Sequence, residues 1–198
     1  MVELNSELER IAKESRYVDL SSMQFLYNLV KEINPDQVLE LGTYLGGSAL
    51  YMASAIKDGG VVFSIDNNEL LLSEEKAVDT PAQNAGACGL ISKVQFISGN
   101  TQQVSDLISI QPEIVFMDAH HEPENMWKEY QSFVSLLPER HIIVVDDLWP
   151  LVCEFMFELS KQYSFSFIMK DFHQGVGVLF THSDYLIKVV NAAEAIND

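Results

Sequence analysis

The 198-residue sequence predicts an α/β fold, in which helices cover both faces of a seven-stranded, mostly parallel sheet with an antiparallel last strand. Five short apolar runs alternate with segments of helical periodicity, which is the pattern of repeated βαβ units. The runs are apolar almost throughout, as expected for strands buried on both faces. Two more strand-like runs follow with only "KDFHQ" between them. That connection is too short for a parallel crossover and predicts an antiparallel pair.

The sequence pattern places each element in turn. Residues 3–14 and 21–33 have helical spacing of apolar residues, and Pro35 separates the second helix from the first strand. The predicted strands are "QVLELG", "VVFSID", "VQFIS", "EIVFMD", "HIIVVDD", "FSFIM" and "GVGVLF". Further helices are expected over residues 48–56, 69–78, 102–109, 123–137 and 151–162. The segment "TPAQNAGACG" is expected to interrupt helical structure at the end of the 69–78 helix.

Length and composition narrow the class of protein. The chain has no linker-like or repeated segment, which predicts a single domain, 1–198, with N-terminal helices (1–34) and a core (35–182). Its formal charge of −17 argues against nucleic-acid or membrane partners. No apolar run is long enough to span a bilayer, and two cysteines are too few for a disulfide framework, so we expect a cytoplasmic protein. The N-terminal helices are a candidate homodimer surface, and residues 1–20 are candidate lid material.

A glycine-containing loop follows the first strand. In "LELGTYLGGSA", Gly42, Gly46 and Gly47 allow a tight turn, but a dinucleotide fingerprint would need glycine where Tyr44 stands. There is also no Walker lysine, so the loop favours a nucleoside without phosphates. Glu40, at the end of the first strand, suits a cationic ligand group.

Asp66 ends the second strand, where a carboxylate can accept hydrogen bonds from the hydroxyls of a ribose. The alternative is that Asp66 only caps the turn before "NNEL". The glycine loop on the neighbouring strand favours ribose binding.

The ordered motifs "VLELGTYLGGSALYM", "VVFSIDNN", "VQFISGNTQQV", "IVFMDAHHE" and "IIVVDDLW" resemble those of class I S-adenosylmethionine-dependent methyltransferases, over about residues 21–181. The resemblance implies a Rossmann-like sheet and S-adenosylmethionine as the cofactor. It places Glu40 and Gly42 near the methionine part, Asp66 at the ribose, and Gly99 and Asn100 near the adenine. The full set of implied cofactor contacts is Glu40, Gly42, Thr43, Tyr44, Gly46, Ser48, Asp66, Asn67, Gly99, Asn100, Asp118 and His120.

The fourth and fifth strands end in acids, Asp118 and the pair Asp146–Asp147. Because the strands are expected to be neighbours, these carboxylates should converge and repel unless protonated or bound to a cation. Oxygen ligands suit Mg²⁺ or another divalent cation. The alternative for the pair is helix capping before "LWPLV".

The same acids resemble the metal ligands of metal-dependent O-methyltransferases, which have an acid after the fourth strand and Asp-Asn or Asp-Asp after the fifth. The Asp-Asp pair is more similar to the macrolide and aminocoumarin sugar enzymes than to the catechol type. Both types methylate one hydroxyl of a small vicinal diol chelated on the metal. The resemblance makes His121, three residues after Asp118, the general base, in place of the lysine of catechol enzymes.

Other side chains near these motifs have more than one interpretation. His121 could instead belong to a polar loop, and His120 should point elsewhere. Trp149 is either a pocket wall or core, and Trp127 is expected in the core. His173 is a further candidate for substrate contact.

Three other functions compete with the metal-dependent O-methyltransferase. They are a metal-independent methyltransferase, a cofactor-binding protein without catalysis and a nicotinamide-dependent oxidoreductase. The missing glycine at Tyr44 and the acidic cluster argue against the oxidoreductase.

Overall fold

The computed structural model describes residues 6–15, 18–74, 78–169 and 175–196, and contains the predicted seven-stranded sheet. The strand order is β3-β2-β1-β4-β5-β7-β6. The strands are β1 (Gln37–Leu41), β2 (Val61–Asp66), β3 (Val94–Ser98), β4 (Ile114–Met117), β5 (Ile142–Val145), β6 (Phe165–Met169) and β7 (Val176–Phe180).

Strands β1 to β5 are parallel to one another, and β7 runs antiparallel to both β5 and β6. The register pairs Leu41 of β1 with Ile65 of β2 and with Met117 of β4. The residues that follow these three strands therefore lie at one edge of the sheet. This confirms the predicted topology.

Nine α-helices flank the sheet in the described part of the chain. They are α1 (Ser6–Glu14), α2 (Leu20–Ile33), α3 (Gly47–Ala55), α4 (Glu69–Leu72), α5 (Pro81–Ala87), α6 (Val104–Leu107), α7 (Pro123–Phe133), α8 (Pro150–Ser160) and α9 (Asp184–Glu194). None of the helices described is long and apolar enough to cross a bilayer.

Successive residues of each strand pack alternately into two separate hydrophobic cores, one on each face of the sheet. Val38 and Phe116 face the core formed with α1, α2, α3 and α9, whereas Leu39 and Val115 face the core formed with α7 and α8. Both faces of the sheet are therefore buried under helices, which confirms the prediction of helices on both faces. This burial also explains why the strands are apolar almost throughout.

Two helix predictions around residue 80 are wrong. The helix expected over residues 69–78 ends at Leu72, and residues 75–77 lie outside the described chain. The expected break instead contains α5. Thr80 and Gln83 form a capping box at its start, and Pro81 occupies the first turn, where proline is tolerated. These terminal signals outweigh the helix-weakening glycine at position 86.

Two more helix boundaries differ from the prediction. The segment predicted over residues 102–109 is a 3₁₀ turn, Thr101–Gln103, followed by the short α6. The helix predicted to residue 137 ends as α7 at Phe133 and continues as a 3₁₀ turn, Val134–Leu136.

Helix α9 was not predicted and extends the fold beyond the expected core boundary at residue 182. It packs on α2, where Asn28 Nδ2 donates to Ala192 O (3.1 Å) and Lys188 Nζ donates to Glu32 O (2.9 Å). Tyr185, Val189 and Ala192 provide its buried face. The single-domain boundaries remain a prediction, as does a lid formed by residues 1–20, of which 1–5, 16 and 17 lie outside the description.

Candidate active site

The loop after β1 is shaped by left-handed backbone conformations. Gly42 has φ +94° and Gly46 has φ +85°, both in the region that favours glycine. Tyr44 has φ +46°, so the position where a dinucleotide fingerprint would have glycine is left-handed but carries a side chain. A Cβ on Gly42 would lie 2.7 Å from the backbone oxygen of Asp118. The loop therefore touches the end of β4 backbone to backbone.

Asp66 organises the same loop from the neighbouring strand. Its Oδ2 accepts hydrogen bonds from the backbone N–H groups of Thr43 (2.6 Å) and Tyr44 (3.2 Å). Its Oδ1 accepts one from Asn68 N (2.6 Å). The turn-capping alternative for Asp66 is thus part of the structure, and it leaves a lone pair on Oδ1 for a ligand.

A cavity of about 380 Å³ opens at this edge of the sheet. Eight of the twelve predicted cofactor residues line it, namely Gly42, Thr43, Tyr44, Ser48, Asp66, Asn67, Asp118 and His120. Nine other lining residues were not among the predicted cofactor contacts, namely Ser15, Val18, Met23, Gly47, Glu69, Leu70, Ser73, Thr101 and Ala119. Several of these directly adjoin predicted residues in the chain, and that adjacency is the signal that could have found them. Ser15, Val18 and Met23 come from the N-terminal helical region, where no motif marks them.

Four predicted cofactor residues do not line the cavity. Gly46 lies at the start of α3, and Gly99 faces Leu107, whose Cδ1 would be 2.6 Å from an added Cβ. Asn100 uses its side chain to cap the next turn, because its Oδ1 accepts from Gln102 N (2.9 Å). Thr101, the next residue, lines the cavity instead.

Glu40, the fourth, is fully buried beneath the cavity wall. Ser48 Oγ donates to its Oε1 (2.5 Å), and Ser64 Oγ donates to its Oε2. Burial raises the pKa of Glu40 to about 7, although both serine hydrogen bonds favour the carboxylate. Glu40 is therefore placed to influence a ligand through Ser48, which does line the cavity.

Asp118, His121 and Asp147 come together at the ends of β4 and β5. Their potential ligand atoms all lie within 4.8 Å of one another. His121 Nε2 is 3.1 Å from Asp147 Oδ2 and 4.0 Å from Asp118 Oδ1. The contact with Asp147 raises the pKa of His121, and burial opposes this change. Nε2 is buried without a well-aligned hydrogen bond to any described group, so its position suits a shared ligand between these side chains.

The acidic edge is electrostatically unfavourable in the absence of a cation. Burial, followed by repulsion from Asp146 and Asp147, raises the pKa of Asp118 well above its usual range. Asp147 also has a left-handed backbone, φ +55°, which is uncommon for a residue with a side chain. Both features are typical of functional sites.

Asp146 differs in position from the other two acids. It is absent from the compact group, and Ser22 Oγ at the start of α2 lies 3.4 Å from its Oδ1. Burial and the neighbouring Asp147 raise the pKa of Asp146 to about 7. The structure thus brings Asp118, Asp147 and the predicted base into one cluster and turns Asp146 towards α2.

Aromatic side chains frame this cluster. Trp149 is 50% exposed, and its ring stacks on His121 with centroids 5.4 Å apart. The core alternative for Trp149 is therefore wrong, whereas Trp127 packs edge-on against Phe155 and Tyr130, as expected for a core residue. His120 lines the cavity, and His173 lies outside the described residues.

The sheet order, the glycine loop and the carboxylate at the end of β2 together define a class I methyltransferase fold. The methyltransferase-domain family matches residues 39–148, more than half of the chain. The chain therefore belongs to the methyltransferase-domain family, in the S-adenosylmethionine-dependent class. This result contradicts the oxidoreductase alternative.

Curated relatives and solved structures agree with this family. A rhamnosyl O-methyltransferase of Mycobacterium tuberculosis is 26% identical over 133 residues, which cover 65% of this chain and 52% of the relative. The chain spans about half the length of the curated relatives that it matches.

Two solved structures share the fold over nearly the whole chain. The O-methyltransferase TomG of Streptomyces achromogenes, in complex with SAM, has a TM-score of 0.68 at 18% identity over 90% of this chain and 91% of its own. An O-methyltransferase of Bacillus cereus, in complex with SAH, has a TM-score of 0.70 at 18% identity over 92% and 93%.

Proposed function

We propose that this protein is an S-adenosylmethionine-dependent O-methyltransferase that acts on a small vicinal diol, uses a divalent cation and has His121 as its general base. The observation that carries the proposal is the cluster of Asp118, His121 and Asp147 beside the cavity. Asp118 belongs to both the cluster and the cavity wall, so a methyl donor in the cavity would be adjacent to an acceptor at the cluster.

The names of the relatives support a hydroxyl acceptor. Both solved structures above are O-methyltransferases, and the Mycobacterium relative acts on a rhamnosyl group. A sugar diol is therefore the first acceptor class to test, followed by a catechol. The net charge of −17 makes a nucleic-acid acceptor a poor fit. A homodimer remains a prediction.

The methyl donor would occupy the cavity between the glycine loop and Asp66. Three backbone N–H groups already use the Asp66 carboxylate, which has about four acceptor positions. Asp66 is therefore expected to bind one ribose hydroxyl rather than two. When bound, S-adenosylmethionine supplies a methyl group on a sulfonium sulfur, whose positive charge suits a wall containing Asp66 and Asp118.

The acidic cluster fits a divalent cation. Asp118 and Asp147 would hold it, because their oxygens suit Mg²⁺ or Mn²⁺ and their charges otherwise repel. When bound, the cation lowers the pKa of an acceptor hydroxyl. Asp146 is a less direct candidate, since its side chain faces Ser22.

His121 is the proton acceptor in this proposal. His121 would take the acceptor's hydroxyl proton at Nε2 as the acceptor oxygen bonds to the methyl carbon, and the methyl donor, when bound, would leave as a neutral thioether. Asp147 Oδ2 lies 3.1 Å from the same Nε2, so it would stabilise the imidazolium once the proton has arrived, in line with the raised pKa of His121. Trp149, whose ring stacks on the imidazole, would restrict its rotation.

The test combines calorimetry with a transfer assay. S-adenosylhomocysteine, then Mg²⁺ or Mn²⁺, is titrated into the wild type and into Asp118→Asn and His121→Ala variants. Methyl transfer to methyl rhamnoside and to catechol is followed with labelled S-adenosylmethionine. We expect Asp118→Asn to lose the metal, and His121→Ala to lose turnover by about 10²-fold or more while S-adenosylhomocysteine still binds.

The matched control is His182→Ala, because His182 is an exposed histidine on the other end of the chain, paired with Asp184. It should retain full activity. If S-adenosylhomocysteine binds but no metal does, the proposed cation site is wrong. If methyl transfer is unchanged in His121→Ala, the proposed role of His121 as general base is wrong. No binding of S-adenosylhomocysteine to the wild type would refute the whole proposal.

A further inference from the structure

Glu129 is a buried acid that the proposed reaction does not use. It lies on α7 and is fully buried, with 0% of its surface exposed. Its Oε1 accepts one hydrogen bond, from Thr101 Oγ1 (2.5 Å), and its Oε2 has no hydrogen-bond partner among the described groups. A buried carboxylate with one partner is costly to the fold, so its presence calls for an explanation.

Thr101 connects this acid to the cavity. Thr101 is one of the residues that line the cavity, and it follows Gly99 and Asn100, which the family resemblance places near the adenine. A second contact fixes its backbone, because Ser132 Oγ lies 2.9 Å from Thr101 O and 2.7 Å from Glu129 O. Helix α7 therefore holds both the main chain and the hydroxyl of Thr101.

The hydrogen bond between Glu129 and Thr101 has a fixed direction when the acid is ionised. A carboxylate can only accept, so Thr101 must donate its single hydroxyl proton to Glu129. The remaining lone pairs of Thr101 Oγ1 can only accept. A ligand group that meets this oxygen must then be a donor.

We infer that Glu129 is a specificity-determining positioning residue, which makes Thr101 Oγ1 an acceptor and so selects a base with an exocyclic amino group over one with an oxo group. The inference rests on the proposed S-adenosylmethionine site. Adenine has the amino group, and its deaminated analogue hypoxanthine has an oxo group at the same position. An oxo group facing Thr101 Oγ1 would place two acceptors together with no proton between them.

His120 is the other polar group near this acid. Its Nε2 is 3.9 Å from Glu129 Oε1, which is too long for a hydrogen bond. Among the described residues that line the cavity, Thr101 is therefore the one whose side chain is hydrogen-bonded to Glu129.

The experiment compares two ligands that differ at one position of the base. Dissociation constants of S-adenosylhomocysteine and S-inosylhomocysteine are measured by calorimetry at about pH 8.5, where an acid whose pKa burial raises to about 7 is ionised. The variants are Thr101→Val, Thr101→Ser and Glu129→Gln. The control is Glu124→Gln on the exposed side of the same helix, where Glu124 pairs with Lys128.

We expect the wild type, Glu124→Gln and Thr101→Ser to bind the adenine ligand about tenfold or more tightly than the hypoxanthine ligand. Thr101→Val has no hydroxyl and should reduce this ratio to about threefold or less. Glu129→Gln should reduce it similarly, because a glutamine N–H can donate to Oγ1 and free the hydroxyl proton for an oxo group.

Selectivity that persists in folded Thr101→Val or Glu129→Gln would overturn the inference, as would a wild type that binds both ligands equally. These outcomes leave the cofactor site intact and differ from no binding of either ligand, which refutes the proposed function as well. If circular dichroism shows that Glu129→Gln is unfolded, the Thr101→Val and Thr101→Ser pair decides the question, since the two differ in the hydroxyl.

Discussion

Asp147 Oδ2 lies 3.1 Å from His121 Nε2, and the backbone that presents Asp147 is left-handed with φ +55°. The carbonyl of the same residue accepts from Trp149 N (2.6 Å), which closes a tight turn after β5. The position thus combines backbone strain with a carboxylate aimed at the imidazole of His121, an arrangement that the surrounding structure has to maintain.

Replacing Asp147 by asparagine should abolish metal binding without destabilising the fold. Asparagine tolerates left-handed backbone as well as aspartate does and removes a negative charge beside Asp118. We expect a melting temperature without metal equal to or above that of the wild type. The rise in melting temperature on adding Mg²⁺ or Mn²⁺ should be lost.

The comparison variant is Asp147→Ala, which should lose the same metal effect and also about 1 kcal/mol of stability from the left-handed backbone. Differential scanning fluorimetry with and without the cation measures both. An unchanged metal shift in Asp147→Asn would show that this carboxylate is not a ligand.

Gly42→Ala should destabilise the protein more than an ordinary glycine replacement. The new Cβ would meet Asp118 O at 2.7 Å, and the residue has φ +94°. Strain and overlap together should lower the free energy of unfolding by about 3 kcal/mol. Urea denaturation measures the change.

Gly59→Ala isolates the backbone contribution, because Gly59 has φ +82° and nothing lies within 4 Å of an added Cβ. It should cost about 1 kcal/mol. Equal losses in the two variants would mean that the approach of the loop to β4 is not tight in solution.

Glu129 should make stability depend on pH in the direction opposite to a salt-bridged acid. Burial raises its pKa from 4.5 to about 7, so the folded protein retains a proton that the unfolded chain has released. Its contribution to stability is then lost as pH rises through this window, by about 3 kcal/mol in total. Glu129→Gln should gain stability relative to the wild type at pH 8 and little at pH 4.5.

Thermal unfolding across this range measures the difference between the two proteins. The exposed Glu124→Gln variant should differ from the wild type by the same amount at every pH above 5. A pH-independent difference for Glu129→Gln would mean that the acid ionises normally within the fold.

Trp149 should report on the cation by fluorescence. It is half exposed and stacks on His121, whereas Trp127 packs against Phe155 in the core, and the chain has only these two tryptophans. Titration with Mg²⁺ or Mn²⁺ should change the emission of the wild type and of Trp127→Phe. Trp149→Phe should give no change, and a signal retained in that variant would place the metal-linked movement elsewhere.

The sheet could be predicted from the sequence because its strands are continuous apolar runs and its last connection is short. Helix α5 was missed because its stabilising signals are at the cap, in Thr80 and Gln83, while its interior has glycine. Helix α9 was missed because its stability comes from packing on α2, which local periodicity around residues 184–194 does not show.

The acidic cluster could be predicted because its residues follow neighbouring strands, whereas Ser15, Val18 and Met23 of the cavity lie in the N-terminal region, where no motif marks them. Asp118 and Asp147 converge because β4 and β5 are neighbours, and that neighbourhood follows from topology. The direction in which a side chain points does not follow from topology. Asp146 was therefore predicted to lie with Asp118 and Asp147, although its side chain faces Ser22. Glu129 gave no signal, since one acid on a helix looks like any solvated acid until its burial is known.

The contact between the Cα of Gly42 and the backbone of Asp118 has a consequence for how such an enzyme can diversify. The two loops that would hold donor and acceptor are joined without an intervening side chain, so neither can be displaced by substitution without moving the other. Their spacing is a fixed dimension of the molecule. In the proposed enzyme, acceptor preference would therefore be changed more readily at the rim, by substitutions at residues such as Trp149, than by moving either loop.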